Sequence, residues 1–276
     1  MKNAPKTPFR QRLVLLCLLP ALCLLTGCFT FETLIKLNPD GSGTVEQVFS
    51  IHGPMLEMLA FFADEDGNLP DLCDDESLQT EAANLGEGVL LTSSERIQEE
   101  NQMGCHAFYA FDDINMLTID QDPGAKMPEG ADMEADDEGE EDDGQHVTFS
   151  FTPGSPATLT ILMPQEFEGT PDDDEALADS SQRAMQMQMM REMLQGAKMT
   201  LSLQVAGTIA ETNATYRDGS TINLMTADFD ELLADEGQLT LLMDSNPQSL
   251  DEVEALLENI SGIEMETQDE VQVRFE

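Results

Sequence analysis

Short segments in which apolar and polar residues alternate constrain the fold of this chain more than any other feature. The first segment is Phe29–Leu37, and the alternation returns at Val45–Ile51 after Asn38–Gly43, a run of turn-forming residues. A period of two residues is typical of a strand with one buried face, and a turn between two such strands predicts a β-hairpin. The sequence therefore predicts that this part of the chain begins with a hairpin.

The same pattern recurs along the chain and predicts more strands. A second hairpin is predicted from strands on either side of Pro153-Gly154, and a third from Ile209–Tyr216 and Ile222–Met225, which flank Arg217–Ser220. Further strands are predicted at Val89–Ile97, Ala107–Phe111, Met199–Val205, Leu239–Met243 and Val271–Phe275. The segment around Cys73 is predicted to be a polar loop.

Other segments carry apolar residues at helical spacing. Helices are predicted at Pro54–Ala63, at Ser180–Gln195, around Phe229–Leu233, and after Ser249, which can cap a helix with Glu252 three residues on. The expected fold class is α+β, mainly antiparallel sheet built from hairpins with a few packed helices. The chain is long enough to bury a substantial core, as one domain or as two lobes.

Residues 1–27 have the pattern of a bacterial lipoprotein signal peptide. Basic side chains precede an apolar run, Leu13–Leu25, that is too short to span a bilayer stably, and the run leads into Leu25-Thr26-Gly27-Cys28. Cleavage before Cys28 would free its amine and thiol for acylation, and more than one acyl chain gives stable anchoring. The alternative is an ordinary secretory signal with an incidental cysteine.

The position of Cys28 also predicts where the protein resides. The predicted first strand starts one residue after Cys28, so the globular part is expected to lie against the membrane on its extracytoplasmic side. Residue 29 is Phe rather than the Asp associated with inner-membrane retention in some bacteria, which favours the outer membrane.

The mature chain is expected to have three parts. Residues 28–126 form the N-terminal part of the α+β domain, and residues 146–276 form its C-terminal part. Residues 127–145 between them are rich in acids and have almost nothing to bury, so they are predicted to be a disordered acidic insertion.

Charge excludes one class of partner. Residues 1–27 contain four basic and no acidic residues, so the mature chain has 8 Lys and Arg against 55 Asp and Glu, a net charge of −47. Phosphates would repel such a chain, and nucleic acid is not an expected partner.

Carboxylates suit Ca²⁺, but Asn38-Pro39-Asp40-Gly41 and Asp64-Glu65-Asp66-Gly67 both lack the ligand series of an EF-hand. Only weak Ca²⁺ binding is therefore expected, and no defined metal site.

The cysteines fit an exported protein. Cys17 and Cys23 lie within the signal peptide and Cys28 would be acylated, which leaves Cys73 and Cys105. Two cysteines in an oxidising compartment predict one disulfide, and two free buried thiols are the alternative.

The candidate interaction residues are methionines. Met185, Met189 and Met193 recur every four residues on the helix predicted at Ser180–Gln195. Thioether sulfurs can bind Cu(I), but methionine is also a flexible filler of cores and of adaptable interfaces. The helix is interpreted as a contact surface for an envelope protein or an apolar ligand. The three histidines, His52, His106 and His146, are well separated, and His106 and His146, which lie in strand patterns, are expected to be structural.

Several motifs together resemble the LppM-like group of bacterial lipoproteins. They are Cys28 followed by a strand, the turn Asn38–Gly43, a middle strand ending in Phe111-Asp112-Asp113-Ile114, and the late Val205–Ile209 segment with Asp218-Gly219. The resemblance covers much of residues 28–235. It implies a membrane-anchored extracytoplasmic α+β domain and no enzymatic residues.

The sequence contains no catalytic motif, since it has no nucleophile elbow, phosphate-binding loop, HExxH or CxxC. A non-enzymatic, membrane-anchored binding module is therefore the leading hypothesis. The alternatives are a divalent-cation-binding acidic structural protein of the cell surface, and a hydrolase whose site has no recognisable motif.

Overall fold

A computed structural model describes residues 29–59, 69–99, 101–120, 146–164, 185, 188, 190, 191, 194–245, 247 and 249–276. In chain order the strands are β1 (Phe29–Leu37), β2 (Gly43–His52), β3 (Leu90–Glu99), β4 (Gln102–Phe111), β5 (Thr118–Asp120), β6 (His146–Thr152), β7 (Ala157–Leu162), β8 (Lys198–Val205), β9 (Ile209–Thr212), β10 (Arg217–Asp218), β11 (Thr221–Asp228), β12 (Ile263–Met265) and β13 (Glu270–Phe275). Together with the helices, they confirm the α+β class.

The larger sheet has eight strands. Seven lie in the order β10-β11-β8-β1-β2-β4-β3, and β12 pairs with β11. The pair β1 and β8 is parallel, whereas the other pairs of this sheet are antiparallel. The predicted first hairpin is confirmed, because β1 and β2 pair from Phe29 opposite Ile51 to Leu37 opposite Gly43.

The smaller sheet has five antiparallel strands in the order β5-β6-β7-β13-β9. It contains the predicted hairpin of β6 and β7. Strand β5 ends at Asp120 and pairs with β6, which starts at His146, so the segments on either side of residues 121–145 are direct neighbours. The predicted acidic insertion, 127–145, lies outside the described residues.

The two sheets share one core. On the inner face of the larger sheet, Ile35 of β1, Val45 of β2, Tyr109 of β4 and Leu203 of β8 are fully buried. They belong to the same packed cluster as the buried residues of β6, β7 and β13, including Phe275. Gly41, in the turn after β1, touches the smaller sheet, where a Cβ would come within 2.9 Å of the ring of Phe151.

The helices with defined bounds are α1 (Gly53–Leu59), α2 (Asp75–Asn84), α3 (Phe229–Leu233), α4 (Glu236–Asp244) and α5 (Leu250–Leu257). Ser249 caps α5 as predicted, since its Oγ accepts a hydrogen bond from the Glu252 amide at 3.4 Å. The predicted helix at Pro54–Ala63 is confirmed as far as Leu59, and the described residues of Ser180–Gln195 are helical up to Leu194. Within the described residues, no helix has the length and apolar character needed to cross a membrane.

Two predictions were wrong, and one helix was missed. Leu239–Met243 is part of α4 rather than a strand: the Asp235 side chain accepts a hydrogen bond from the Gly237 amide and starts a helix, which buries Leu239. The predicted loop around Cys73 is present, but it is short, and helix α2, which follows it with Asp74 as its N-cap, was not predicted. The third hairpin is shorter than predicted, because β9 joins β13 in the smaller sheet and, of residues 209–218, Arg217 and Asp218 alone pair with β11.

Candidate functional site

The lipidation candidate Cys28 lies outside the described residues, but its neighbour Phe29 starts β1. Strand β1 is internal to the larger sheet. Thr30 lies opposite Ser50 of β2 on one side and opposite Lys198 of β8 on the other. We call this end of the sheet, where β1 and β8 begin and β2 and β11 finish, the anchor end. A group attached to Cys28 would be one residue away from it.

A small helical cluster lies at the anchor end, formed by the helical residues between 185 and 194 and by α3, α4 and α5. Its buried centre consists of Leu232, Leu239 and Ile260, and residues packed against that centre include Met190 and Leu194. The cluster is joined to the strands directly, because Lys198 starts β8 and Asp228 ends β11, opposite each other. The Phe229 ring lies 6.4 Å from the ring of Phe29.

The methionine prediction is only partly placed by the structure. Met185 is helical and 69% exposed, as a contact residue would be. Met189 and Met193 lie outside the described residues. Met190, which lies in the same predicted helix, packs against the buried centre of the cluster. Among the described residues of this helix, then, one methionine is available at the surface and another supports the packing.

The predicted disulfide is present, since Cys73 and Cys105 are bonded with their Cα atoms 5.0 Å apart. It ties the segment before α2 to β4. Next to it, the segment 69–72 and strands β3 and β4 enclose an open pocket of about 370 Å³. The pocket is lined by Leu69, Pro70, Asp71, Leu72, Arg96, Ile97, Gln98, Met103 and Gly104. Its polar side is an ion pair between Arg96 Nη2 and Asp71 Oδ2 at 2.5 Å.

Polar side chains interrupt the inner face of the larger sheet near α2. Gln47 is buried and donates a hydrogen bond to Glu81 of α2 at 3.3 Å. Tyr109 is also buried, and its hydroxyl has no hydrogen-bond partner. Burial, with a smaller effect from the charge of Glu81, raises the pKa of Tyr109 far above its ordinary range. The hydroxyl therefore stays protonated at physiological pH.

A buried carboxylate that sequence reasoning missed has a structural role. Glu266 is 1% exposed. Its oxygens accept hydrogen bonds from the Thr215 amide and hydroxyl, at 2.7 and 2.9 Å, and from the Gln268 amide and side chain, at 3.3 and 3.2 Å. These bonds hold the segment after β9 to the segment between β12 and β13. The sequence around Glu266 is an ordinary acidic stretch, and no local pattern separates this acid from its exposed neighbours.

In the first acidic turn considered for Ca²⁺, the Asp40 carboxylate accepts hydrogen bonds from within the turn. Asp40 Oδ1 accepts from the Ser42 amide at 3.1 Å and from the Ser42 hydroxyl at 2.7 Å. The hydroxyl bond, followed by the amide bond, lowers the pKa of Asp40. The second turn, Asp64–Gly67, lies outside the described residues. Among the described residues, no three His, Cys, Asp or Glu side chains are grouped so that they could hold a metal ion.

The histidines lie in different places. His52 Nε2 is 3.0 Å from the Ser50 hydroxyl at the anchor end, and burial lowers the pKa of His52. His106 stacks against Phe108, with ring centroids 4.1 Å apart. His146 starts β6, where its Nδ1 is buried without a hydrogen-bond partner. The structure does not bring the three together.

Comparisons with known proteins add a weak structural similarity. No protein-family model and no curated protein matches the chain. The NMR structure of the folded domain of LppM from Mycobacterium tuberculosis is similar at 10% identity, with 92% of this chain and 94% of that chain covered and a TM-score of 0.34. A similarity at this level carries no residue role and no function to this chain, and membership of the LppM-like group stays a prediction.

Proposed function

We propose that this chain is a lipoprotein of a bacterial cell envelope, acylated at Cys28, that works as a non-enzymatic binding or interaction module on the extracytoplasmic membrane surface. The observation that carries the proposal is the position of β1, which starts at the residue after Cys28. The lipoprotein signal in the sequence therefore leads directly into a strand of the folded domain.

The environment of β1 supports a rigid attachment. Residues Thr30 to Leu37 of β1 pair with β2 on one side and with β8 on the other. An anchor at Cys28 would therefore hold the centre of the larger sheet, and there would be almost no tether to let the domain move away from the lipid. Such an attachment suits a protein whose partner or ligand is also at the membrane.

The anchor itself can be tested by labelling the full chain in a bacterial host with an alkyne-bearing fatty acid and fractionating the cells. We expect label and membrane association for the native chain and their loss in Cys28→Ala. Cys23→Ala is the matched control, because Cys23 lies in the segment that would be cleaved off. This variant is expected to behave as the native chain does. Label retained in Cys28→Ala would contradict the proposal.

The pocket beside the disulfide is the candidate ligand site of this module. Its walls include Leu69, Leu72, Ile97 and Met103, and the Arg96 and Asp71 ion pair supplies its charged groups. Mostly apolar walls with a few fixed polar groups are typical of sites for small apolar ligands. The proposed ligand class is accordingly an apolar molecule with one polar end.

A fluorescent probe such as anilinonaphthalene sulfonate tests the pocket. The native chain is expected to bind the probe, and Ile97→Glu to weaken the binding, since a carboxylate would enter the apolar wall. Leu162→Glu is the control, because Leu162 is 42% exposed on β7 in the smaller sheet. Equal binding by both variants would remove the pocket from the proposal while leaving the anchor in place.

A further inference from the structure

The helical cluster adjoins the end of the sheet where the anchor would enter the domain. Phe29 is opposite Ile51, the second-last residue of β2, and Thr30 is opposite Lys198, the first residue of β8. Consecutive Cα atoms are about 3.8 Å apart and neighbouring strands about 4.8 Å. Lys198 and Asp228, where the strands meet the helical cluster, therefore lie within a few strand spacings of Phe29.

The helical cluster exposes large apolar side chains. Met185 is 69% exposed and Leu241, on α4, is 41% exposed. Single exposed apolar residues are common and need no explanation by themselves. Met185 and Leu241 differ from the other exposed large apolar residues, Leu90, Met116 and Leu162, because they belong to the helical cluster, which is joined to the anchor end of the sheet.

Near the anchor end, one exposed basic side chain lies among exposed acids such as Glu231 and Asp235. Lys198 is exposed beside the start of β1. Two nearby acids are engaged by backbone amides: Asp228 accepts from the Glu231 amide at 3.3 Å, and Asp230 from the Gly196 amide at 2.6 Å. An exposed ammonium group at the end of the sheet to which the cluster is joined suits the phosphates of a phospholipid surface.

We infer that the helical cluster is a second membrane contact, in which Met185 and Leu241 enter the boundary between headgroups and acyl chains while Lys198 faces lipid phosphate. The inference rests on the proposed acylation of Cys28, which would bring this end of the molecule to the bilayer. A second, weaker contact beside a lipid anchor fixes the orientation of the domain and adds to its retention.

Tryptophan scanning tests the inference, since the chain contains no Trp and each variant has a single indole emission. The lipidated full chain is reconstituted in phosphatidylcholine vesicles, with or without bromine on the acyl chains, as Met185→Trp, Leu241→Trp, Leu90→Trp or Leu162→Trp. The last two are matched controls, because Leu90 and Leu162 are 68% and 42% exposed on β3 and β7. All four substitutions replace exposed apolar residues and are expected to fold.

The inference predicts that brominated lipid quenches Met185→Trp and Leu241→Trp and leaves both controls unchanged. Equal emission of Met185→Trp and Leu241→Trp in the two kinds of vesicle, on protein that floats with them, would overturn the inference and leave the anchor intact. Quenching of all four variants alike would also overturn it, because the contact would then not be local to the cluster. Failure of the native chain to acquire lipid or to float would instead contradict the proposed function.

Discussion

The sheet core and the helical cluster are both apolar, yet the contacts that hold them differ in range. In the core, Ile35 and Leu203 lie opposite each other on β1 and β8, and Phe275 joins the same cluster from the C-terminal strand. In the cluster, the fully buried residues are Leu232, Leu239 and Ile260, which lie close together in sequence. We therefore expect the core to unfold as a unit and the cluster to open locally at lower free energy.

The largest expected effect is on the sheet core. Leu203→Ala removes a fully buried side chain between β1 and β11 and should lower the free energy of unfolding by about 3–5 kcal/mol, measured by chemical denaturation. Leu162→Ala, at a 42% exposed position, is the control and should change that free energy by less than about 0.5 kcal/mol. Equal effects of the two variants would mean that the core is not packed as described.

Removal of the disulfide should have the second-largest effect on stability. Cys73 and Cys105 are 32 residues apart, and releasing a loop of this length should cost about 3–4 kcal/mol of stability in the chain-entropy account. The variant Cys73→Ala with Cys105→Ala should show this loss in denaturant. Hydrogen exchange should increase around α2 and leave α3, α4 and α5 unchanged, because the disulfide connects only elements on the core side.

The helical cluster should respond locally. Leu232→Ala removes its most buried side chain and should cost about 2–3 kcal/mol, at the lower end for such changes because few elements constrain the site. Hydrogen exchange should rise in α3, α4 and α5 while β1, β2 and β4 keep their protection. Loss of protection across the sheet would show that the cluster and the core are one cooperative unit, which would contradict the expected local opening of the cluster.

The smallest effect is a pH dependence at α2. The hydrogen bond from the Ser77 amide to Asp74 lowers the pKa of this N-cap below its ordinary value of 3.8. Because the folded state then binds the proton less tightly than the unfolded chain, the stabilisation is present above about pH 4 and is lost as the pH falls through the folded pKa. Asp74→Asn keeps the acceptor but does not titrate, so it should lose less stability than the native chain in acid melts.

The sequence predicts the sheet core better than the helical end, for a physical reason. Alternation in Phe29–Leu37 and Val271–Phe275 reports one buried face directly, and both segments are strands. Leu239, Leu241 and Met243 alternate as well, but the cap at Asp235 and the packing of Leu239 against its neighbours make that segment helical. Helix α2 has a weak apolar pattern and depends on the Asp74 cap and on burial of Ala82.

Some features of the candidate site can likewise be predicted from the sequence, and others cannot. The disulfide partners follow from the cysteine count, and the proposed anchor is predicted from the residues before Cys28. The pocket and the buried carboxylate of Glu266 depend on contacts between distant segments, such as Asp71 with Arg96 and Thr215 with Glu266, which no local pattern specifies.

The central claim is that this domain is held at a membrane by acylated Cys28. Mass spectrometry of the mature chain, purified from membranes after expression of the full sequence, tests it most directly. The account predicts an N-terminal peptide that begins at Cys28 and carries fatty acyl groups. An N-terminal peptide that begins elsewhere, or an unmodified Cys28 on membrane-purified protein, would contradict it.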